Sequence, residues 1–176
     1  MNRRAVTRLA LGSVGALALL AALAYQTGMV VNTTVSLPLG VYRAVDAPVE
    51  RGAYVKFCPP QTALFEEAAR RGYIGAGFCP GGYVPLLKRV LATGGDHVTV
   101  TAEGVRINGQ LLAWSAPLGV DGGGRPMPQY EQDRALADAE LIVMSDVSRV
   151  SFDSRYFGPI DRSQVQAVIR PVVTWQ

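Results

Sequence analysis

The sequence predicts a mainly β domain preceded by an apolar N-terminal segment. Its 176 residues are 49% hydrophobic and 18% charged, which suits one globular domain rather than a disordered chain. Short segments of alternating apolar and polar residues recur along the chain, separated by turns rich in glycine, proline and asparagine. Helical signals are confined to one or two short stretches. We therefore expect antiparallel sheets with little helix.

The N-terminus carries a basic start followed by an uncharged run. Arg3, Arg4 and Arg8 precede Leu9–Tyr25, which as a helix would cover about 25 Å at about 1.5 Å per residue. This length is at the short end for crossing a membrane. The run is either an uncleaved anchor or a signal peptide cleaved after Ala22–Ala24. Both interpretations make 1–25 the anchor or signal segment and place 26–176 outside the cytoplasm.

The charge distribution argues against a nucleic-acid partner. The formal net charge is +3, and the three N-terminal arginines account for all of it. A nucleic-acid-binding domain would carry its basic residues on one face of the folded body. We therefore expect no nucleic acid among the partners.

The predicted elements follow in order along the body. The first half contains a strand, a short helix with Thr62 as a possible N-cap and Gly72 as its stop, and a second strand: Gly52–Phe57, Thr62–Arg71 and Tyr83–Leu91. The second half contains five further strands: His97–Thr101, Gly104–Ile107, Gln110–Trp114, Glu140–Ser145 and Gln164–Thr174. Gly94–Asp96 and Asn108–Gly109 are predicted turns. The Gly- and Pro-rich stretch Ala116–Gln129 is predicted to be an exposed, mobile loop.

Two cysteines, Cys58 and Cys79, flank the predicted helix. In an oxidising compartment an even pair indicates a disulfide, and two free thiols are the alternative. A metal site would need more ligands of this kind, and His97 is the single histidine. We expect a disulfide and no metal.

Lys88 has the pattern of a buried lysine. Fifteen of the seventeen basic residues are arginine, and Lys88 alternates with Val84, Leu86 and Val90 on one face of a predicted strand. Burial lowers the pKa of a lysine, and a neutral amine can accept a proton from a serine hydroxyl. Alternatively Lys88 reaches water from a sheet edge. Lys56 lies in a similar strand, so periodicity does not separate the two lysines.

Ser36 is the predicted nucleophile. It lies between Val35 and Leu37, shortly before Pro38 and Gly40, on a turn that could present its hydroxyl. Serines beside proline and glycine are often turn residues with no catalytic role, so this segment alone does not decide. A Ser-His-Asp arrangement would depend on His97, whose position directly after a turn favours no catalytic role.

Three segments together resemble the signal peptidase family of serine proteases. NTTVSLPLGVY (32–42) is similar to the nucleophile segment N-x-T-x-S-x-P-x-G-x-Y of the TraF-type peptidases, the branch found in conjugative plasmid transfer systems. LLKRVLATGGDHV (86–98) is similar to the family's lysine segment, and SFDSRYFGPI (151–160) to its C-terminal segment. The order of the three segments and the preceding apolar run are also features of the family.

The resemblance implies a fold and a catalytic dyad. The fold would be a coiled antiparallel β-sheet body of the signal-peptidase type behind one N-terminal transmembrane helix. Ser36 would attack the scissile carbonyl and Lys88 would take its proton. The hydroxyl of Thr34 would join the Ser36 backbone N–H in stabilising the oxyanion.

The resemblance also implies supporting residues near the dyad. Ser151 would orient the lysine amine. Asp153 and Arg155 would form an ion pair beside it, and a purely structural role for that pair is the alternative.

The implied function is maturation of an exported, pilin-like precursor protein. The enzyme would cross the inner membrane once, with its peptidase domain in the periplasm, membrane lipid as a partner and no cofactor. The sequence does not decide whether water or an amine receives the acyl group. A general type I signal peptidase and a non-catalytic subunit of a secretion or mating-pair apparatus are the alternatives.

Overall fold

The computed structural model describes residues 13–14 and 27–175. The predicted anchor or signal segment, 1–25, lies outside the described residues apart from Ser13 and Val14. In the described part of the chain, no helix has the length and apolarity needed to span a membrane. The body is mainly β, as predicted, and its strands form two antiparallel sheets of seven and four strands.

The larger sheet carries the strands that matter most for the site. Its order is β1-β2-β11-β3-β4-β9-β10. The strands span Met29–Asn32 (β1), Leu39–Val45 (β2), Tyr54–Phe57 (β3), Leu86–Ala92 (β4), Glu140–Met144 (β9), Ile160–Asp161 (β10) and Val165–Trp175 (β11). The predicted strands at β3, β4, β9 and β11 are confirmed, with shifted ends. β1 and β2 were not predicted, because they occupy a polar stretch and the serine segment.

Strand β11 lies between two strands that are consecutive in sequence. Residues 165–169 of β11 pair with β3, and residues 168–175 pair with β2. Both pairings are antiparallel. The register shifts between Pro171 and Val173, because proline has no N–H to donate to the ladder. β11 therefore joins the hairpin β1–β2 to the strand pair β3–β4.

The smaller sheet has the order β7-β6-β5-β8. His97–Thr101 (β5) and Gly104–Ile107 (β6) match their predictions, and Gln132–Ala135 (β8) was not predicted. The strand expected over Gln110–Trp114 is wrong beyond its first two residues, since β7 spans only Gln110–Leu111. Trp114 has φ 60°, a left-handed conformation that no strand contains.

A helical excursion packs against the larger sheet. Helix α1, Ala63–Arg70, buries Phe65 and Ala68, and it is preceded by Thr62, whose side chain makes no capping hydrogen bond. The helix ends before Gly72, whose φ of 80° suits glycine. A disulfide joins Cys58 to Cys79 at the base of this excursion. A second, four-residue helix, α2 (Ser154–Phe157), was not predicted.

Candidate active site

The hairpin between β1 and β2 presents Ser36. Its loop is closed by the pairing of Asn32 with Gly40. A Cβ at Gly40 would lie 2.8 Å from the Cα of Thr174 on β11, so only glycine fits there. Leu37 is buried against Tyr42, while Ser36 beside it is half-buried. The buried Leu37 side chain anchors the turn to the core, and the neighbouring Ser36 stays accessible.

Asn32 holds this turn from inside, and the sequence had suggested no role for it. Its carboxamide Nδ2 donates to three carbonyl oxygens, those of Thr34 (2.9 Å), Leu37 (3.0 Å) and Pro38 (3.0 Å). Its Oδ1 accepts from the backbone N–H and the hydroxyl of Thr34, at 3.1 and 3.0 Å. An asparagine just before a proline- and glycine-containing turn is the signal that could have revealed this role, because such side chains bond nearby backbone.

Lys88 lies inside the larger sheet. It alternates on β4 with the buried residues Leu86 and Val90, as the sequence predicted, and its own exposed fraction is 3%. Lys56, which the sequence pattern could not separate from it, is only half-buried on β3. The structure thus distinguishes the two lysines by burial.

Two side chains from distant parts of the chain meet at Lys88. Its Nζ lies 2.7 Å from Ser36 Oγ and 2.9 Å from Ser151 Oγ. The two hydroxyl oxygens are 3.3 Å apart. An amine within hydrogen-bond distance of a serine hydroxyl has the geometry of a general base next to a nucleophile. The second hydroxyl limits the directions in which the amine can point.

Burial sets the protonation state of Lys88. Removal from water lowers its pKa from 10.5 to about 8. The nearby Asp153 carboxylate opposes this shift and the Arg155 guanidinium adds to it. Because these two opposite charges lie close together, burial decides the direction. A large fraction of the amine is therefore neutral at mildly alkaline pH.

Asp153 and Arg155 form an ion pair with no exposed surface. The Arg155 Nη2 lies 2.7 Å from Asp153 Oδ2, and its Nε lies 2.8 Å from Oδ1. The guanidinium also donates to the carbonyls of Ser148, Arg149 and Ser151, and thereby fixes the segment that carries the Ser151 hydroxyl. The pair thus supports the site in two ways: it holds the backbone of Ser151, and its two charges act in opposite directions on the pKa of Lys88.

The hydroxyl of Thr34 is engaged within the turn. It donates its single proton to Asn32 Oδ1, and Thr34 itself is exposed at the groove. To serve an oxyanion, the hydroxyl would have to turn away from Asn32. The Thr34 backbone N–H would then remain as the donor to Asn32 Oδ1.

A groove of about 660 Å³ runs past the serine and the lysine. Its apolar walls include Leu86, Ile74 and Val84, and its far side is formed by the loop that contains Asp121. The size and the apolar lining suit an extended peptide segment or another small apolar group.

The Gly- and Pro-rich loop is exposed as predicted, and hydrogen bonds tie it to the excursion between the two cysteines. The Asp121 carboxylate accepts from the Tyr73 hydroxyl at 2.6 Å, and from the N–H groups of Gly123 and Arg125. These hydrogen bonds hold the pKa of Asp121 well below its ordinary value. Arg71 donates to the carbonyl of Pro126 at 2.7 Å. The excursion between the cysteines therefore anchors this wall of the groove, which its composition did not reveal.

His97 lies away from the groove. It sits on β5 of the smaller sheet, where its Nε2 is 3.6 Å from an oxygen of Asp133. Among residues 13–14 and 27–175, no group of three or more metal-ligating side chains is close enough to hold an ion.

Comparisons with known proteins give the same family. A family model described as signal peptidase, peptidase S26, matches residues 4–175. A plasmid transfer protein TraF of Escherichia coli is 55% identical over 174 residues, which cover 98% of this chain and 97% of that protein. The conjugal transfer protein TraF of Agrobacterium tumefaciens (strain 15955) is 39% identical over 176 residues, covering 99% and 98%.

Among solved structures, a signal peptidase I from Enterococcus faecalis V583 is 19% identical to this chain. The match covers 72% of this chain and all of that one, with a TM-score of 0.40. The family model spans nearly the whole chain and the relatives match at almost full length, so the resemblance drawn from the three sequence segments is confirmed. The chain belongs to the signal peptidase family, peptidase S26.

Proposed function

We propose that this protein is a membrane-anchored serine endopeptidase in which Ser36 is the nucleophile and Lys88 the general base. The observation that carries the proposal is the 2.7 Å contact between Ser36 Oγ and the Nζ of a lysine that is buried away from water. A solvated lysine would be charged and could not accept the serine proton near neutral pH. A buried one can.

The first half of the reaction forms an acyl-enzyme. Ser36 Oγ bonds to the scissile carbonyl carbon while its proton passes to Lys88 Nζ. The carbonyl oxygen becomes an oxyanion, which the backbone N–H of Ser36 and the hydroxyl of Thr34 stabilise once that hydroxyl has turned from Asn32. Lys88 then returns the proton to the leaving amine, the C–N bond breaks, and the acyl group stays on Ser36.

The second half releases the acyl group. Lys88, neutral again, takes a proton from the attacking water or amine as the new bond forms at the acyl carbon. It then passes that proton to Ser36 Oγ as the bond between Ser36 and the acyl carbon breaks, which restores the free serine and the neutral amine. Ser151, 2.9 Å from the amine, keeps Nζ directed towards the reacting atoms in both halves. With water the product is a cleaved chain, and with the substrate's own amine it is a ring.

The proposed substrate is an exported, pilin-like precursor in conjugation. The relatives that match at nearly full length are named plasmid transfer and conjugal transfer proteins, which supports a role in that process. The proposed location is the inner membrane, with residues 26–176 in the periplasm. The disulfide between Cys58 and Cys79 suits an oxidising compartment.

Single substitutions test the dyad. Ser36→Ala and Lys88→Ala should each lower cleavage of a pilin precursor to background, because each removes a group that makes or breaks bonds, while circular dichroism stays unchanged. Lys56→Ala is the matched control, since it removes the only other lysine and should keep most of the activity. Cleavage should also survive EDTA, measured by mass spectrometry of the products.

The same experiment separates the alternatives. Equal cleavage of unrelated preproteins would indicate a general signal peptidase. A protein that neither cleaves nor becomes acylated at Ser36 would be a non-catalytic subunit. Activity that is lost with EDTA and restored by zinc would overturn the Ser-Lys mechanism.

A further inference from the structure

The Asn32 side chain is hydrogen-bonded to the turn that carries Ser36, although Asn32 is not a reacting group in the proposed mechanism. Its side chain is 2% exposed, and all five of its hydrogen bonds go to residues between 34 and 38. The amide can point only one way, since Nδ2 faces three carbonyls and Oδ1 faces two donors. Ser36 lies in the middle of the segment that is held.

The turn needs such a support. Residues 33–38, between β1 and β2, form a loop, so their backbone groups have no partners in the sheet. Buried backbone carbonyls without partners are costly, and a side-chain amide can satisfy several at once. The Tyr42 hydroxyl adds a second donor to the carbonyl of Pro38, at 2.7 Å. Without Asn32, the carbonyls of Thr34 and Leu37 lose this donor.

We propose that Asn32 is the positioning residue for the nucleophile. Its carboxamide fixes the turn so that Ser36 Oγ points at Lys88 Nζ, and it holds the Thr34 hydroxyl at the edge of the groove until an oxyanion draws it away. Asn32 takes part in no bond-making step. This inference rests on the proposed function of Ser36, and it assigns a cause to the 2.7 Å contact.

The test measures acylation of Ser36 by p-nitrophenyl acetate. The full-length protein in detergent releases a burst of p-nitrophenol, whose amplitude counts intact sites and whose rate reports how well Ser36 is placed. Measurements at about pH 9 keep Lys88 mostly neutral, since its pKa is about 8. Ser36→Ala supplies the blank.

Asn32→Ala should slow the burst about ten- to a hundredfold with little loss of amplitude, because a misplacement of about 1 Å can cost roughly a hundredfold in rate. Asn32→Asp has the same shape and keeps the acceptor for Thr34, but turns a carboxylate oxygen towards three carbonyls. It should slow the burst at least as much. A residue that only fills space would show the normal rate in this variant.

Asn108→Ala is the matched control. Asn108 also bonds local groups in a turn, accepting from His97 N–H at 2.9 Å and donating to Asp96 at 2.8 Å, but its turn connects β6 and β7 of the smaller sheet. This variant should lose stability and keep the burst rate.

The outcomes are distinct. A wild-type burst that depends on Ser36, with unchanged rates in both Asn32 variants, overturns this inference and leaves the proposed function standing. A wild-type protein without such a burst overturns the proposed function and this inference with it. Loss of amplitude and of secondary structure in both variants makes Asn32 a folding residue, which also overturns the inference.

Discussion

Lys88 is a buried lysine, and its charged form carries a free-energy cost. Burying an ammonium is unfavourable unless a counter-charge compensates it, and the nearest carboxylate, Asp153, is already paired with Arg155. The lysine therefore gives up its proton more easily than an exposed lysine would. The same burial that disfavours the charged form gives Lys88 the neutral amine that the proposed base requires.

The pH dependence of cleavage follows from this burial. The pKa of Lys88 is lowered to about 8, so the amine is charged and inactive well below that pH and neutral above it. Activity should therefore rise with pH with a midpoint near 8, and a tenfold loss should accompany each unit below it. A profile of kcat/KM against pH measures the midpoint. A rise centred near 10.5 would show that Lys88 is solvated and is not the base.

At the residue scale, the strand pattern indicated an apolar face for Lys88, whereas its partners Ser36 and Ser151 were expected only from the family resemblance. Alternation along one strand shows which side chains share a face, but it did not separate Lys88 from Lys56. Contacts between residues 52 or 63 positions apart depend on how strands pair, which alternation does not encode. The sequence did not reveal the role of Asn32 for a related reason. The backbone groups that its side chain bonds lie in the loop of the hairpin, where the sheet offers them no partner, and this arrangement exists only once the hairpin has formed.

At the scale of elements, the excursion between β3 and β4 combines a helix, a disulfide and a wall of the groove. Tyr73 at its end donates to Asp121 in the facing loop, and the disulfide ties its base. The disulfide and the hydrogen bond from Tyr73 to Asp121 together fix the position of the excursion in the fold. The shape of the groove depends on an element that contributes none of the proposed reacting groups.

The disulfide should contribute measurably to stability. Cys58 and Cys79 are 21 positions apart, and closing a loop of about 20 residues stabilises the fold by about 3 kcal/mol in the chain-entropy model. The double variant Cys58→Ala, Cys79→Ala should lose up to that amount in urea unfolding. Dithiothreitol should destabilise the wild type similarly and leave the variant unaffected. Equal stability of both proteins without reductant would contradict the prediction.

Sequence patterns identified some elements and missed others for physical reasons. β4 and β5 carry apolar residues at alternate positions and were predicted. β8, Gln132–Ala135, is an edge strand with almost no buried face, so its sequence has no alternation to detect. In β2 a buried inward position is occupied by Gly40, which breaks the expected pattern. Edge strands and close approaches of two backbones are thus the least visible from sequence.

On the scale of the whole molecule, the mouth of the groove is apolar. Val31, Val35 and Val150 line it and are 62%, 59% and 70% exposed. Exposed apolar side chains grouped beside a binding groove indicate a surface that meets lipid or another apolar partner. Under the proposed membrane anchoring, with the anchor just before this hairpin, the membrane surface is the expected neighbour.

Lipid should therefore raise activity in a form of the protein that lacks residues 1–25. Detergent or phospholipid vesicles should increase its cleavage rate severalfold, because the apolar rim then contacts lipid rather than water. Replacing Val31, Val35 and Val150 together by serine should remove most of this increase. Leu111→Ser, an exposed leucine on β7 of the smaller sheet, is the control and should keep it. Rates that do not respond to lipid would contradict the prediction.

The position of β11 has a consequence for the moment at which the protein becomes active. Ser36 and Lys88 are both made early by the ribosome, whereas β11 begins only at Val165. Until that strand exists, the hairpin with the serine and the strand pair with the lysine have no element that joins them. A nascent chain that lacks β11 therefore carries both residues without the strand that joins the two parts of the sheet. Any activity of the proposed dyad must wait until β11 has been translated and has paired with β2 and β3.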